Sequence, residues 1–246
     1  MSLRRSTVEL LDRSGVGKFA RPIVASLREQ RARLRLRAHK RHSRQLIAEY
    51  LDHTARRKLH IGASNKPLPG WLNTDIELHG PATLYLDCTD RFPIGNDTLD
   101  FAFCEHFIEH LDREAGLACM REVLRCLKPG GVFRVATPDL ARIAGLLQPN
   151  PTADQVRYVE QFRSLFGLDC LTPCRVLNLV MYSWGHRFLY THEELVDALS
   201  AAGFSRVEST EVGQSRHVDL RGVERHQEFC GDEMNRFETM VVEAIK

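Results

Sequence analysis

The chain of 246 residues has no apolar run long enough to cross a bilayer. Its opening stretch, MSLRRSTVELLDRSG, lacks the apolar core of a secretory leader, so a cytoplasmic protein is expected. Paired cysteines are lacking too. Seven are present, at 88, 104, 119, 126, 170, 174 and 230, with no C-x-x-C among them. Cys170 and Cys174 stand four apart without a second pair, which argues for free thiols in a reducing compartment and against structural zinc. Glycine is scarce where a phosphate-binding loop would need it. KLHIGASNKPLPGWLNTDIE, residues 58–77, opens as a strand and reaches Gly62, but the later glycines of G-x-G-x-x-G are missing and no Gly-Lys-Ser/Thr follows. Pro67 and Pro69 stand where a helix would start. About eight residues separate Gly62 from Trp71, fewer than the roughly dozen of a helical crossover. A pyrophosphate therefore finds no helix N-terminus here, which disfavours dinucleotides and nucleoside triphosphates.

What is present begins with charge. Residues 1–58 carry a net +11 and the remainder −9, hidden in an overall +2. The basic residues are densest in LREQRARLRLRAHKRHSRQL, residues 27–46. Such a block reads as a solvated helix packed through Leu27, Leu34 and Ile47, or as an arm for an anionic surface, membrane or nucleic acid. From residue 58 onward, short apolar runs alternate with helical patterns, as in a parallel sheet covered by helices. Strands are expected at KLHIG, WLNTDI, ATLYLDC, TLDFAFCEH (98–106), VFRVATPD (132–139), FSRVEST and FETMVVEAI. Residues 112–127 read as a helix that KPGG stops, and Thr191 with Glu194 as a capping box before another. The fold class is α/β: a doubly wound, seven-stranded, mostly parallel sheet. A basic helical extension over 1–57 precedes a domain over 58–246, with 140–190 inserted as a substrate wall and 211–235 as a polar excursion.

Ligands of such sheets bind beyond the carboxyl ends of the strands. Gly62, Ala63 and Ser64 follow the first strand, Asp75 the second and Asp87 with Cys88 the third. Glu105, His106, Glu109 and His110 follow the fourth. Acids at successive strand ends suit a nucleoside: Asp75 can accept ribose hydroxyls, Asp87 an adenine amine, and the Cys88 N–H can donate to a ring nitrogen. They repel phosphates. S-adenosyl-L-methionine meets this description.

The segments LHIGASNKPLPGWLNTDIE, LDCTDRFPIGNDTLDFAFCEHFIEHLD, REVLRCLKPGGVFRVATPDL and FLYTHEELVDALSAAGF, in this order, resemble class I S-adenosylmethionine-dependent methyltransferases. They look most like a bacterial branch found near cell-surface polysaccharide genes. The resemblance covers residues 58 to about 210. It implies a Rossmann-like methyltransferase fold, with Gly62, Ala63 and Ser64 lining the methionine part of the cofactor. It further implies Asp75 at the ribose, Asp87 and Cys88 at the adenine, and Glu105 and His106 beside the methionine and sulfonium. The first loop departs from the family pattern of an acid and several glycines.

Methyl transfer requires mainly alignment and exclusion of water. A hydroxyl acceptor gains from a base near neutral pKa, for which His106, His110 and His186 are the candidates. His106, Glu109 and His110, with His186 as a later ligand, resemble the Glu-x-x-Glu-His pattern of metal-binding relatives. His106 replaces the first glutamate, so no metal is expected. The expected reaction is O-methylation of a glycan or small molecule. RNA methylation and a non-catalytic scaffold that docks partners through the basic helix are the alternatives. Five arginines of the inserted wall, Arg142, Arg157, Arg163, Arg175 and Arg187, would suit an anionic acceptor or be ordinary surface residues.

Overall fold

The computed structural model describes residues 17–168 and 172–246, and side chains from residue 25 onward except those at 27, 28 and 32. Cys170 and the side chain of Leu27 thus lie outside the described residues. The chain divides into a unit ending at Gln45 and a body from Leu46 to Lys246. Helix α1 (Gly17–His53) makes up the described part of the first unit and contributes its last turns to the body. After Pro22 it is built from Arg, Leu, Ala, Gln and Glu, all strong helix formers. Leu34 is 62% exposed, whereas Ile47 in the body is fully buried.

The body is a seven-stranded sheet: β1 (Lys58–Ile61), β2 (Leu72–Asp75), β3 (Leu84–Tyr85), β4 (Leu99–Glu105), β5 (Leu127–Pro138), β6 (Arg206–Thr210) and β7 (Thr239–Ile245). Their order is β3-β2-β1-β4-β5-β7-β6, with β7 antiparallel to both neighbours and every other pairing parallel. The order reverses between β1 and β4, so the topological switch point lies at Gly62 and Glu105. This is the doubly wound sheet expected from the sequence. Its details differ. Of ATLYLDC only Leu84–Tyr85 pairs, and KPGG does not merely end the preceding helix but is taken up in β5, which starts at Leu127. Phe237 and Glu238 belong to a helix rather than to the last strand.

One face of the sheet carries helices α2 (Arg113–Cys126) and α6 (His192–Ala202). Its core joins Ile47, Leu59, Ile61, Ala102, Cys104, Phe133, Val135, Leu195 and Leu199. Asp112 caps α2 through the Ala115 N–H. Thr191 caps α6, but Glu194 does not close the box, because its carboxylate pairs with Arg113 at 2.8 Å.

The opposite face lacks a crossover helix, since the loop from Gly62 to Trp71 is too short for one. Asn73 ties that loop instead, accepting from Leu68 N–H and donating to the Leu68 and Trp71 carbonyls. The apolar residues left on this face are Phe101, Phe103, Val132, Ala136 and Val241, and Val212, Leu220 and Val223 of the excursion cover them. Arg134 also points to this face and is fully buried between Glu224 of the excursion and Glu243, its cross-strand neighbour on β7. The excursion, expected to be polar, is thus a lid over hydrophobic sheet, fixed by a buried ion triad.

The inserted segment starts and ends together: Asp139 and Tyr190 form a parallel bridge. Between them lie α3 (Leu140–Ala144), α4 (Ala153–Phe166) and α5 (Pro173–Tyr182). Thr152 and Gln155 make a complete capping box for α4, and Pro173 opens α5. Tyr158, Phe162, Val176 and Val180 of these helices pack with Met234 into a third core.

Candidate active site

Three strand ends form the rim of the crevice at the switch point. Asp75 ends β2, where its Oδ2 accepts the Ser64 N–H at 2.9 Å and its Oδ1 the Glu77 N–H at 3.0 Å. Each oxygen keeps a lone pair for a further donor. Asp87 follows β3 and binds both the N–H and the hydroxyl of Thr89 through Oδ1; its Oδ2 has no partner among the described residues. Cys88 is buried with its thiol toward Cys119. Gly62 adopts φ +70°, and a Cβ there would lie 2.4 Å from Cδ2 of Phe107. Close approach of the Phe107 ring, as well as the backbone angle, therefore requires glycine.

Glu105 ends β4, and its two oxygens accept the backbone N–H groups of Arg225 and His226 at 2.8 and 2.9 Å. It does not cap a following helix. Burial raises its pKa, and these two donors oppose the rise. Lys66 of the first loop donates to the Arg225 carbonyl at 2.7 Å, so the excursion is held at both sides of the switch point.

Beside this clamp lies a pocket of about 190 Å³. Its floor carries His106, His110, His186, His226 and Glu238; its walls are apolar, with Phe162, Phe166, Trp184 and Phe229 prominent. His106 sits at φ +44° and stacks on His226, with ring centroids 3.6 Å apart. Its Nε2 is 3.0 Å from the Thr239 hydroxyl and its Nδ1 is 3.5 Å from Glu109 Oε1. Burial, then the neighbouring His226, lowers the His106 pKa well below the usual value. Glu109 is fully buried; Oε2 accepts the Thr137 hydroxyl at 2.8 Å, while Oε1 has no hydrogen-bond partner. Burial pushes Glu109 up to about 8. The turn at Trp184 and Gly185 is anchored by Arg187 and Phe188, whose N–H groups donate to the Glu109 carbonyl. That anchoring brings His186 against His110, with centroids 4.9 Å apart. Nδ1 of His186 lies 2.5 Å from the Val180 carbonyl, so it carries the proton and leaves Nε2 as the basic nitrogen. Burial lowers both His110 and His186. His106 directly follows Glu105 at the end of β4 and lines the pocket, so the pocket opens beside the switch point.

Residues 70–135 match the family model described as a methyltransferase domain. Over these residues the chain is similar to a methyltransferase domain. The match spans β2 to the middle of β5 and includes Asp75, Asp87, Glu105, His106 and His110. No curated protein matches. Among solved structures, an S-adenosylmethionine-dependent methyltransferase from Archaeoglobus fulgidus is similar, at 15% identity over 86% of this chain and 94% of that one, with a TM-score of 0.47. One from Mesorhizobium loti shares 17% identity over 77% and 90% of the two chains, also with a TM-score of 0.47. A possible histamine N-methyltransferase from Thermotoga maritima shares 16% over 80% and 87%, at 0.45.

The donor set of the crevice suits an adenosyl group. The unused lone pairs of Asp75 and the open Oδ2 of Asp87 are acceptors for ribose hydroxyls and an amine. The methionine side is narrower, because Phe107 lies on Gly62 and Glu105 is committed to the excursion. His106, His110 and His186 come together as a floor. Two further residues, His226 and Glu238, join them from 40 or more positions away, and no spacing in the sequence marks that meeting. The wall arginines do not enter the pocket. Arg142 pairs with Asp139, Arg157 with Glu233 and Arg187 with Asp112.

Proposed function

We propose that this methyltransferase domain transfers a methyl group to the oxygen of a small, largely apolar acceptor seated in the histidine-floored pocket. The observation that carries this reading is the abutment of a nucleoside-type crevice and an aromatic-walled pocket at the switch point of the sheet. S-adenosylmethionine would lie with its ribose on Asp75 and its adenine at Asp87 and Cys88, along the loop of Gly62, Ala63 and Ser64. When bound, it supplies a methyl group already activated on a sulfonium.

The chain's own part is positioning and proton handling. Phe162, Phe166, Trp184 and Phe229 offer flat apolar surface and exclude water from the acceptor. Nε2 of His186 is the favoured proton acceptor. Its tautomer is fixed by Val180, and its lowered pKa keeps it neutral near pH 7. His110 supports it edge-on, and His106 has both ring nitrogens beside other side chains. The walls favour an aromatic or aliphatic alcohol over a glycan, whose rim of hydroxyls would find few partners there. The absence of arginine from the pocket lining argues in the same direction against a phosphorylated acceptor.

Calorimetry should show one saturable S-adenosylmethionine site, lost in Asp75→Ala. Unchanged affinity in that variant refutes the crevice assignment. A labelled-methyl assay with phenols, glycans and RNA in separate reactions should label the phenols, and His186→Ala should lower that rate by roughly 10²–10⁴-fold without altering cofactor affinity. Labelling of glycan or RNA alone refutes the acceptor assignment and leaves the cofactor site standing.

A further inference from the structure

The stacked pair His106 and His226, together with Glu238, remains unexplained by methyl transfer. One potential ligand atom from each lies within 4.8 Å of those of the other two, and all three line the pocket. They are supplied by three elements: the end of β4, the excursion, and α8 (Asp232–Glu238) just before β7. We infer that His106, His226 and Glu238 form a binding site for a divalent first-row transition-metal ion, with an open position toward the pocket. Two neutral imidazoles and one carboxylate are a donor set that such ions accept, leaving room for an exogenous oxygen.

Three further observations support it. First, the groups are already close but not at ligand spacing. His226 Nε2 and Glu238 Oε1 are 2.7 Å apart, whereas donors on a tetrahedral ion with bonds near 2.0 Å are separated by roughly 3.3 Å. An opening of about half an ångström admits the ion. Second, the outer contacts are in place. Glu238 uses its other oxygen, Oε2, to accept the Tyr158 hydroxyl at 2.5 Å, which holds the carboxylate with Oε1 toward His226. Third, Glu109 Oε1 is wholly buried, has no hydrogen-bond partner, and stands 3.5 Å from His106 Nδ1. A histidine that ligates through one nitrogen donates its other N–H, commonly to a carboxylate. Ligation through Nε2 would place the proton on Nδ1, toward that oxygen; without an ion, Nε2 faces the Thr239 hydroxyl, which itself donates to Asn235 Oδ1 at 2.8 Å. The Thr239 hydroxyl, 3.0 Å from Nε2, is the contact an ion displaces.

A second group in the same pocket, Glu109 with His110 and His186, is the obvious competitor. In it the available ligand atoms are Nε2 of His186 and Oε1 of Glu109, since Nδ1 of His186 faces the Val180 carbonyl and Oε2 of Glu109 accepts from Thr137. The His106 group is favoured because it places the orphaned oxygen of Glu109 behind a ligand and leaves Nε2 of His186 as the base assigned above. The site's existence does not depend on the acceptor assigned above; only its use toward an acceptor oxygen rests on that reading.

The test uses the full chain without cofactor, treated with chelator and titrated with Co²⁺ and Zn²⁺. One equivalent of Co²⁺ should give the visible absorption of a low-coordinate N/O site, displaced by Zn²⁺ in competition. His226→Ala and Glu238→Gln should each weaken binding by at least about 100-fold, and Glu109→Gln by roughly 10–100-fold. His110→Ala should leave binding within a few fold. Far-UV circular dichroism and S-adenosylmethionine calorimetry on each variant separate lost fold from lost ligand. Should a variant of the triad fail to fold, the visible band of the wild type against His110→Ala decides. No stoichiometric Co²⁺ signal, or loss of it in His110→Ala with His226→Ala and Glu238→Gln unaffected, overturns the inference. Either result leaves the cofactor crevice untouched, and loss of cofactor binding in Asp75→Ala leaves the metal result untouched.

Discussion

Replacing Arg134 with Met would remove the guanidinium that fastens the excursion to the sheet while keeping the apolar stem of the side chain. All five N–H donors of Arg134 are in use. Nε and Nη2 reach Glu224 Oε1 at 2.6 and 2.5 Å. Nη1 donates to Glu243 Oε1 at 2.6 Å and to the Gln214 carbonyl at 2.8 Å, and Nη2 to the Glu211 carbonyl at 3.2 Å. Arg134→Met leaves two buried carboxylates and two carbonyls without these donors. Breaking a buried pair by removing one partner costs about 3–5 kcal/mol, and two anions are stranded here, so the upper end is expected. At roughly 2–4 °C per kcal/mol for a body of this size, the melting temperature should fall by about 10–20 °C. Far-UV circular dichroism melts and urea titrations measure it. Arg134→Met combined with Glu224→Gln and Glu243→Gln should recover much of the loss, since no charge is then stranded. If the single variant stays within about 1 kcal/mol of wild type, the triad does not hold the excursion and the account of this face fails.

Burial holds His60 down to about 4, with a hydrogen bond to Asn73 opposing. As pH falls below about 6.5, the unfolded chain takes up this proton first, so stability is full above that pH and declines by roughly 3 kcal/mol by pH 4. His60→Gln should flatten this part of the stability profile in urea titrations across that range, and an unchanged slope would contradict the assignment. Gly62→Ala meets both the φ of +70° and the Phe107 ring, so it should cost about 2 kcal/mol or more in denaturation, without gain elsewhere. Trp184→Ala should raise the acceptor KM by roughly tenfold while leaving cofactor affinity unchanged in calorimetry, because only a pocket wall is removed.

The parts of the fold legible in the sequence are those written locally. Apolar runs such as DFAFC and VFRVA announce buried strands, and the short loop from Gly62 to Trp71 correctly excludes a crossover helix. The acids after β2 and β3 follow from strand position alone. What was not legible depends on pairing across the chain. Phe107 reaches Gly62 from 45 positions away, and nothing in HIGAS indicates it. Arg134 reads as an outward-facing residue between apolar neighbours, until Glu243 is found opposite it in register. The capping box at Thr191 fails because Arg113, a residue of another helix, competes for Glu194. The excursion looked polar by composition because the apolar residues with which it covers the sheet, Val212, Leu220 and Val223, are spaced by turns rather than by a helical or strand period.

That same excursion serves two tasks with one piece of chain. Its first half seals the bare side of the sheet, and its second half, through Glu105, hems the cleft. Widening the cleft from that side would uncover hydrophobic interior, so the two cannot be altered separately. Tolerance for new acceptors should therefore reside on the opposite bank, in α4 and the turn bearing Trp184, where a side chain can be exchanged without unroofing the molecule.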